Sequence, residues 1–303
     1  MTKIVAVGNA NIDITVFLQE VPRPDEDVDA DSVSLGIGGS ASNFASTCAL
    51  LGEETSIVAV VGGDPLGSLY LKEITQRGVD TGLVEVRADS QTGFVVILNV
   101  AGSQRRMIRY RGANLLLAGD VLRRRGEALR SAEVVHTSSV RPAVVRTLIE
   151  MGLRLSWDPG WTAVSRYKEE VSELMETGRI LRAFFNEKEL RAMTRLDDLK
   201  RGATAIHEMG VEEVVVKRGE AGSSALILRT WYEAPALRVR AVDTTGAGDV
   251  FDGAYTVARL RGLSPGEALR AANFAAGKTV EVPGAVRGLP SWSEIQSFLN
   301  GTS

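Results

Sequence analysis

The strongest chemical signal in the sequence is a glycine-rich segment that ends in an aspartate at the predicted start of a helix. Residues 243–249, DTTGAGD, precede an apolar, alanine-rich helical pattern that runs to Leu260. The first backbone N–H groups of a helix lack intrahelical acceptors, so together with the helix dipole they form an anion-binding site. Asp249 in the first turn can take a proton from a hydroxyl group that attacks phosphorus. The alternative is an ordinary helix start, in which Asp243 caps the loop and Asp249 is only an early-turn charge.

A second group of glycine and polar residues near the N-terminus has the character of a sugar site. Gly38 and Gly39 precede a predicted helix, and glycines let the backbone pass close to a polyol. The amide of Asn43 can both donate hydrogen bonds to hydroxyl groups and accept them. The alternative is a glycine-rich turn before an ordinary helix start. Asn11 and Asp13 follow the first predicted strand, where an aspartate can also be a simple turn cap.

These segments together resemble the signatures of the ribokinase-like (PfkB) carbohydrate kinases. Residues 243–249 match every fixed position of the family pattern Asp-Thr-x-Gly-Ala-Gly-Asp, and residues 38–43 and 11–13 resemble its Gly-Gly-x-x-x-Asn and Asn-x-Asp elements. The resemblance implies a kinase that moves the terminal phosphoryl group of a nucleotide to a hydroxymethyl oxygen of a ribose-type sugar. It implies Asp249 as the catalytic base, an anion hole from the amides of Gly246, Ala247 and Gly248, and substrate contacts from Asn11, Asp13, Gly38, Gly39 and Asn43.

Further matches to the family imply nucleotide and metal sites. Residues 186–189 fit its Asn-x-x-Glu motif, which implies that Asn186 contacts the nucleotide and that Glu189 holds Mg²⁺, largely through water. One glutamate suits such a site, because Mg²⁺ prefers few carboxylates together with waters and phosphates. The alternative interpretation of residues 186–189 is an exposed, charged first turn of a helix. Lys217 departs from the small residue or threonine usual in the family, and is alternatively a solvated strand end. For the nucleotide site the resemblance implies Lys217, Gly219, Gly222, Thr244 and Asn273. For a monovalent cation such as K⁺ it implies Asp243, Thr245 and Gly284.

The sequence leaves the acceptor open. Residues 40–43, SASN, are closer to nucleoside kinases than to typical ribokinases. Four arginines fall between positions 105 and 111, and Arg109 facing the substrate favours an anionic acceptor such as a sugar phosphate, unless it lies on a solvated outer face. Gly160 and Trp161 replace the usual Asn-x-Arg continuation of a further substrate contact. The candidates are a ribose-type sugar with ATP as donor, a nucleoside, and ribose 1-phosphate with ADP as donor.

Two rival classes have weaker support. Kinases of the hydroxymethylpyrimidine or pyridoxal type usually lack a hairpin lid, so the strand pairs described below count against them. A non-catalytic sugar-binding regulator is disfavoured because Asp249 and the glycines around it are intact.

Strands and helices alternate along most of the chain, and this order predicts how the site residues are positioned. Continuous apolar strands predict a mainly parallel sheet covered on both faces. Two strand pairs without an intervening helix, 12–17 with 28–35 and 92–99 with 104–111, predict a small separate β layer. The resemblance implies a three-layer α/β/α fold in one domain, residues 1–303, with a β-sheet lid from about 12–36 and 90–112. The predicted core strands are 4–7, 56–61, 134–136, 153–157, 183–185 and 214–217, and the predicted helices are 41–51, 66–77, 121–130, 144–151, 199–209, 247–260 and 265–281.

Composition excludes several function classes. The 303 residues include 35 basic and 38 acidic ones, and a net charge of -3 gives no general attraction to nucleic acid or anionic membranes. One cysteine, Cys48, and two histidines, His136 and His207, exclude an internal disulfide and argue against thiolate or histidine-rich metal sites. The short apolar run at the N-terminus predicts neither a signal peptide nor a membrane span, and so a cytoplasmic protein. Paired lids imply a homodimer formed through the lid.

Overall fold

The structure is a computed structural model, and it describes residues 3–100 and 106–301. The strands are β1 (Ile4–Gly8), β2 (Asn11–Leu18), β3 (Ser32–Gly38), β4 (Thr55–Val58), β5 (Val60–Gly62), β6 (Glu85–Arg87), β7 (Gly93–Val100), β8 (Arg106–Tyr110), β9 (Val134–Ser138), β10 (Leu155–Asp158), β11 (Ile180–Asn186), β12 (Glu213–Lys217), β13 (Ser223–Ile227) and β14 (Thr230–Ala234). The α-helices are α1 (Ser40–Leu50), α2 (Pro65–Gln76), α3 (Gly119–Arg124), α4 (Gly126–Ser131), α5 (Pro142–Glu150), α6 (Gly160–Arg166), α7 (Lys168–Glu176), α8 (Glu187–Thr194), α9 (Leu199–Glu208), α10 (Ala247–Leu260), α11 (Pro265–Thr279) and α12 (Trp292–Leu299).

The central sheet is mainly parallel, as predicted. Its order is β14-β13-β12-β11-β10-β9-β1-β4, and all neighbours from β12 to β4 run parallel. The sequence reading missed β13 and β14, which add an antiparallel hairpin beyond β12. It also joined β4 and β5 into one strand, although β5 leaves the main sheet to pair with β6.

Apolar side chains on both faces of this sheet explain its three layers. Along β1, Ile4 and Ala6 pack into one hydrophobic cluster, whereas Val5 and Val7 pack into another. Side chains alternate between the faces of a strand, so an unbroken apolar strand must be covered on both sides. Helices α1, α10 and α11 contribute to the first cluster, and α5, α7, α8 and α9 contribute to the second.

A second sheet of four strands, here called the small sheet, has the order β3-β2-β7-β8. The separate β layer predicted from the two strand pairs is confirmed, and β2 and β7 join the pairs in parallel. The register aligns Asp13 with Val95, and Val95 with Arg109, so these three residues share one face. Arg105 and the start of the predicted strand 104–111 lie outside the described residues.

Helix boundaries agree closely where the sequence carries local stop signals. α10 spans Ala247–Leu260, as predicted. The predicted helix 121–130 is wrong as a single element, because α3 ends at Arg124 and α4 begins at Gly126. Among the described residues, no helix combines the length and apolar character that crossing a membrane requires.

Candidate active site

The candidate site lies at the start of α10, where the chain presents a helix N-terminus without a side-chain cap. Gly246 precedes the helix with φ 73°, a left-handed conformation that favours glycine. The Ala247 N–H donates to the Thr244 carbonyl at 3.3 Å, so the predicted anion donors are not equivalent. Asp249 lies in the first turn.

Asp249 is tied to the predicted sugar segment by a hydrogen bond from the other helix start. The Nδ2 of Asn43 on α1 donates to Oδ2 of Asp249 at 2.8 Å. Burial raises the pKa of Asp249 to about 6, and the charge of Asp158 adds to the rise, while Asn43 and Lys217 oppose it. The structure thus joins two segments separated by more than 200 residues around a carboxyl group that titrates near neutral pH.

A cavity of about 570 Å³, here called the first cavity, opens beside Asp249. Asp13 lines it from the small sheet, and its pKa is raised to about 6 by burial and by Asp249, although Arg109 opposes the rise. A Cβ at Gly38 would lie 2.2 Å from the Asp13 carboxyl, so any larger residue there would displace that carboxyl. The predicted substrate residues that line the first cavity are Asn11, Asp13, Gly39, Asn43 and Arg109.

Asn11 is held in place by a neighbour that sequence reasoning assigned no site role. The Nδ2 of Asn114 donates to Oδ1 of Asn11 at 2.8 Å and to the carbonyl of Ala10 at 3.1 Å. The Ala10 N–H donates back to Oδ1 of Asn114 at 2.8 Å. This amide therefore fixes the link between β1 and β2, from which Asn11 and Asp13 reach the cavity.

A second cavity of about 580 Å³ lies on the other side of the same helix start. Its wall contains Leu237, Val239, Phe251 and Val280, so much of it is apolar. Asn273 supports this wall, because its Nδ2 donates to the carbonyls of Ala234 and Pro235 at 3.1 and 2.9 Å. Five predicted nucleotide residues line the second cavity: Lys217, Gly219, Gly222, Thr244 and Asn273.

A buried group of three ionisable side chains, Lys217, Asp158 and Asp252, lies beneath the helix start and is here called the Lys217 cluster. The Nζ of Lys217 is 2.7 Å from Oδ2 of Asp158 and 3.0 Å from Oδ1 of Asp252. The side chain of Asp252 is 1% exposed and that of Lys217 is 14% exposed. Attraction to the two carboxylates outweighs burial and raises the pKa of Lys217, which therefore stays charged. The solvated strand end considered for Lys217 is wrong, because strand β12 ends against these two carboxylates.

Comparison with known proteins decides the family. The model of the pfkB family carbohydrate kinases matches residues 1–292. This chain belongs to that family. It is a phosphotransferase whose acceptor is an alcohol group of a sugar.

Relatives of this carbohydrate kinase share most of its length. Ribokinase from Arabidopsis thaliana is 29% identical, over 98% of this chain and 80% of the relative. The ATP-dependent ribose-1-phosphate kinase of Halopiger xanaduensis is 28% identical over 99% of both chains. The structure of Arabidopsis thaliana ribokinase complexed with ribose and ATP superposes with a TM-score of 0.85 at 28% identity, covering 99% of each chain. The predicted ribokinase-like fold is confirmed.

Glu189, the predicted magnesium residue, lies close enough to the Lys217 cluster to interact with its charges. Asn186 and Glu189 form a capping box at α8, in which each side chain accepts from the backbone N–H of the other at 2.9 Å. Burial and the charge of Asp158 raise the pKa of Glu189 to about 7. No group of three or more histidine, cysteine or acidic residues suited to a metal occurs in residues 3–100 and 106–301. These residues fit Mg²⁺ held mainly by phosphates and water, with Glu189 as its protein carboxylate.

The predicted cation residues meet through one carboxylate. Oδ1 of Asp243 accepts from the backbone N–H of Thr245 at 2.9 Å and from its hydroxyl at 2.7 Å. Oδ2 of Asp243 accepts from the Gly284 N–H at 3.0 Å. The loop that precedes α10 and the loop that follows α11 are thus joined by hydrogen bonds to Asp243, beside the start of α10.

Sequence reasoning missed several residues of this site. Asp252 carried a usable signal, because it is an acidic residue between apolar residues of α10, and a charge buried among them needs a partner. Asp158 ends a buried strand, so its edge position was predictable but its pairing with Lys217 was not. Arg141, directly before α5, and Arg166, at the end of α6, both line the first cavity, and no local pattern connects them.

Proposed function

We propose that this carbohydrate kinase transfers the terminal phosphoryl group of ATP to the hydroxymethyl oxygen of a ribose-type sugar, with Asp249 as the base. The observation that carries the proposal is the position of the α10 start, with Asp249 and Gly246 on the first cavity and Ala247 and Gly248 on the second. A sugar in the first cavity and a nucleotide in the second would meet at that helix start. The names of the ribokinase relatives support the same acceptor class.

In the proposed reaction the sugar hydroxyl oxygen attacks the terminal phosphorus of ATP. The new O–P bond forms as the bond to the bridging oxygen breaks, ADP leaves, and the hydroxyl proton passes to Asp249. Asp13 and Asn43 orient the sugar hydroxyl groups, and Asn11 and Gly39 line the cavity beside them. Gly38 contributes by leaving room for the Asp13 carboxyl. The helix-start amides of Gly246, Ala247 and Gly248 face the charge that develops on the phosphoryl oxygens.

The second cavity is proposed to bind the nucleotide. Its apolar wall suits a base, while Gly219 and Gly222 allow a close backbone approach and Asn273 and Thr244 shape the rim. Asn186 and Glu189 would face the phosphates with Mg²⁺, which supplies charge neutralisation when bound. Asp243, Thr245 and Gly284 are proposed to frame a site for K⁺. We place the reaction in the cytoplasm.

A transfer assay tests the proposed function. Purified protein is incubated with ribose, and with ATP or ADP as donor, in the presence of Mg²⁺ or of excess chelator, with and without K⁺. The expected product is ribose phosphorylated on its hydroxymethyl oxygen, formed from ATP and abolished by the chelator. Sugar binding without any phosphorylated product, under saturating ATP and Mg²⁺, would instead indicate a non-catalytic sugar-binding protein.

The pH dependence of kcat/KM is expected to reflect the two raised carboxyl pKa values in the first cavity. Asp249 must be ionised to accept a proton, and its pKa is about 6, so kcat/KM for ribose should fall below about pH 6 and level off above pH 7. The charge of Asp249 raises the pKa of Asp13. Because repulsion between two like charges is mutual, the charge of Asp13 must also oppose the ionisation of Asp249. Asp13→Asn should therefore move the acid limb to lower pH even as it lowers activity. An acid limb that stays in place in this variant would contradict the coupling.

We further propose that the small sheet is a lid over the first cavity and that its outer face binds a second copy of the chain. That face carries exposed apolar side chains on both edge strands, Val33 (58% exposed) and Leu35 (53%) on β3 and Ile108 (61%) on β8. They lie on the face opposite to Asp13 and Arg109. Large exposed apolar patches mark protein interfaces, and a twofold dimer buries the same patch on both copies.

The proposed dimer predicts a change in molecular mass. The double variant Leu35→Asp, Ile108→Asp should shift the mass in solution from twice that of one chain to that of one chain, as measured by light scattering or sedimentation. Leu228→Asp is the matched control, because Leu228 is 83% exposed and lies between β13 and β14, away from the small sheet. A wild-type protein that is already monomeric at micromolar concentration would rule the dimer out.

A further inference from the structure

The first cavity has a wall of arginines that the transfer of phosphoryl to a neutral sugar does not use. Four guanidinium groups line it, and they come from three separate parts of the fold. Arg109 and Arg111 lie at the end of β8, Arg141 directly precedes α5, and Arg166 ends α6. No local sequence pattern brings them together, so their meeting is a property of the folded site.

The register of the small sheet explains why Arg109 faces inward. Arg109 pairs with Val95, which pairs with Asp13, and all three line the first cavity. The neighbouring residues Ile108 and Tyr110 are on the opposite, exposed face. The outer-face alternative for Arg109 is therefore wrong.

These arginines keep donors available for a ligand. Nη2 of Arg141 donates to the Leu115 carbonyl at 3.0 Å, which holds the side chain in place while its other N–H groups stay free to point elsewhere. Within residues 3–100 and 106–301, none of the four guanidinium groups forms an ion pair with a carboxylate.

The charge in the first cavity does not balance without a ligand. Its charged lining residues are the four arginines and two aspartates, Asp13 and Asp249. Even with both aspartates ionised, two positive charges are in excess. A phosphate monoester carries nearly two negative charges at neutral pH, and guanidinium groups bind its oxygens in bidentate geometry.

We propose that the acceptor is a sugar that already carries a phosphate, held by Arg109, Arg111, Arg141 and Arg166 while its free hydroxymethyl group faces Asp249. The proposal rests on the proposed function of the site and names its substrate class. It requires the phosphate and the reacting hydroxymethyl group to be at opposite ends of the sugar, as in a pentose 1-phosphate. The product is then a sugar bisphosphate, and the reaction that supplies the acceptor must be one that forms a sugar 1-phosphate.

A set of related pentoses tests the proposal, with kcat/KM measured for each at saturating ATP and Mg²⁺. Ribose 1-phosphate should exceed ribose by about tenfold to a hundredfold, because hydrogen bonds from charged groups are stronger than neutral ones. Ribose 5-phosphate, whose hydroxymethyl oxygen is blocked, should bind as an inhibitor without being phosphorylated. The preference for ribose 1-phosphate should decline as ionic strength rises.

Variants of the arginine wall separate phosphate binding from general damage. Arg166→Gln and Arg141→Gln should each lower the ratio of kcat/KM for ribose 1-phosphate to that for ribose by about tenfold. Arg146→Gln is the matched control, because Arg146 lies on α5 but pairs with Glu173 at 3.2 Å and does not line the first cavity. This control should leave the ratio unchanged.

The outcomes distinguish this proposal from the proposed function. Phosphorylation of ribose and ribose 1-phosphate with equal kcat/KM, or a preference for a nucleoside such as adenosine, would overturn the sugar phosphate and leave the kinase activity standing. If no acceptor is phosphorylated, calorimetric titration decides. Tight binding of ribose 1-phosphate over ribose, lost in Arg166→Gln, would then support the anion site while the proposed activity fails, and equal weak binding of both would overturn the anion site too.

Discussion

Asp249→Asn is expected to lower kcat by about 10²–10⁴-fold, the range that general base catalysis contributes. The amide can still accept the hydrogen bond that Asn43 donates to position 249 at 2.8 Å, so the geometry of the two helix starts should persist. It cannot take the hydroxyl proton, because an amide oxygen is a very weak base. The loss should therefore fall on kcat, with binding of sugar and nucleotide retained. Steady-state kinetics with ribose and with the sugar phosphate measures this split.

The stability of Asp249→Asn provides an independent check, because the direction in which it changes with pH can be predicted. The folded-state pKa of Asp249 is about 6, above its ordinary value, so the folded protein binds a proton more tightly than the unfolded chain does. Ionisation of Asp249 therefore destabilises the fold as pH rises through the interval from about 4 to 6. The neutral amide of the variant has no such cost, and the variant should be at least as stable as the wild type at pH 8. A clear loss of stability at pH 8 would mean that the carboxylate holds the fold together.

A matched control separates the chemistry from the mere presence of a carboxylate at a helix start. Asp198 caps α9 by accepting the Arg201 N–H at 2.7 Å, and it lines neither cavity. Asp198→Asn should change kcat by less than about twofold, since its carboxylate contacts no reacting group. If Asp249→Asn has an equally small effect, Asp249 is not the base.

Particular residues show how much of the candidate site could be predicted from the sequence. Asp249 and the bounds of α10 were predictable because the glycine-rich segment and the helix that follows are contiguous in the chain. Asn43 was assigned to the sugar side, but its hydrogen bond to Asp249 joins two distant helices, and only folding creates it. The same limit applies to Arg141 and Arg166, whose only common property is the cavity that they line.

The sheet topology was predictable where an unbroken apolar pattern marked each strand. It was missed where that pattern was weak. Unbroken apolar strands led to a parallel sheet covered on both faces, and the paired apolar clusters on β1 bear this out. The hairpin of β13 and β14 was missed because Ser223–Ile227 is short and half polar, without the apolar run that marked the other core strands. Its partner β14 is partly exposed at the sheet edge, and a strand that is only partly buried needs few apolar residues, so its sequence pattern is weak.

Lys217→Met is expected to lower the free energy of unfolding by about 3–5 kcal/mol near pH 8, the cost of breaking a buried ion pair by removing one partner. The ammonium lies 2.7 Å from Asp158 and 3.0 Å from Asp252, and without it two buried carboxylates face each other with no compensating charge. Methionine fills a similar volume, so a cavity adds little to the effect. Denaturant unfolding monitored by circular dichroism measures the change.

The matched control for this variant is an exposed lysine in an ion pair of similar length. Lys278 lies 3.0 Å from Glu281, with 44% of its side chain exposed. Lys278→Met should cost less than about 1 kcal/mol, because water and salt screen exposed pairs. If both variants lose the same free energy of unfolding, water screens the Lys217 cluster as it screens an exposed ion pair.

The pH dependence of Lys217→Met follows from the carboxylates that remain. Lys217 opposes the rise in pKa of Asp252 and lowers the pKa of Asp158, so its removal raises both values in the folded state. The folded variant then binds more protons than the unfolded chain, and its stability falls as pH rises. The difference in free energy of unfolding between the wild type and the variant should be largest at pH 8 and should become smaller toward pH 5. Adding Asp252→Asn removes one of the facing carboxylates and should restore part of the lost stability, because the remaining Asp158 no longer repels a neighbour of its own charge.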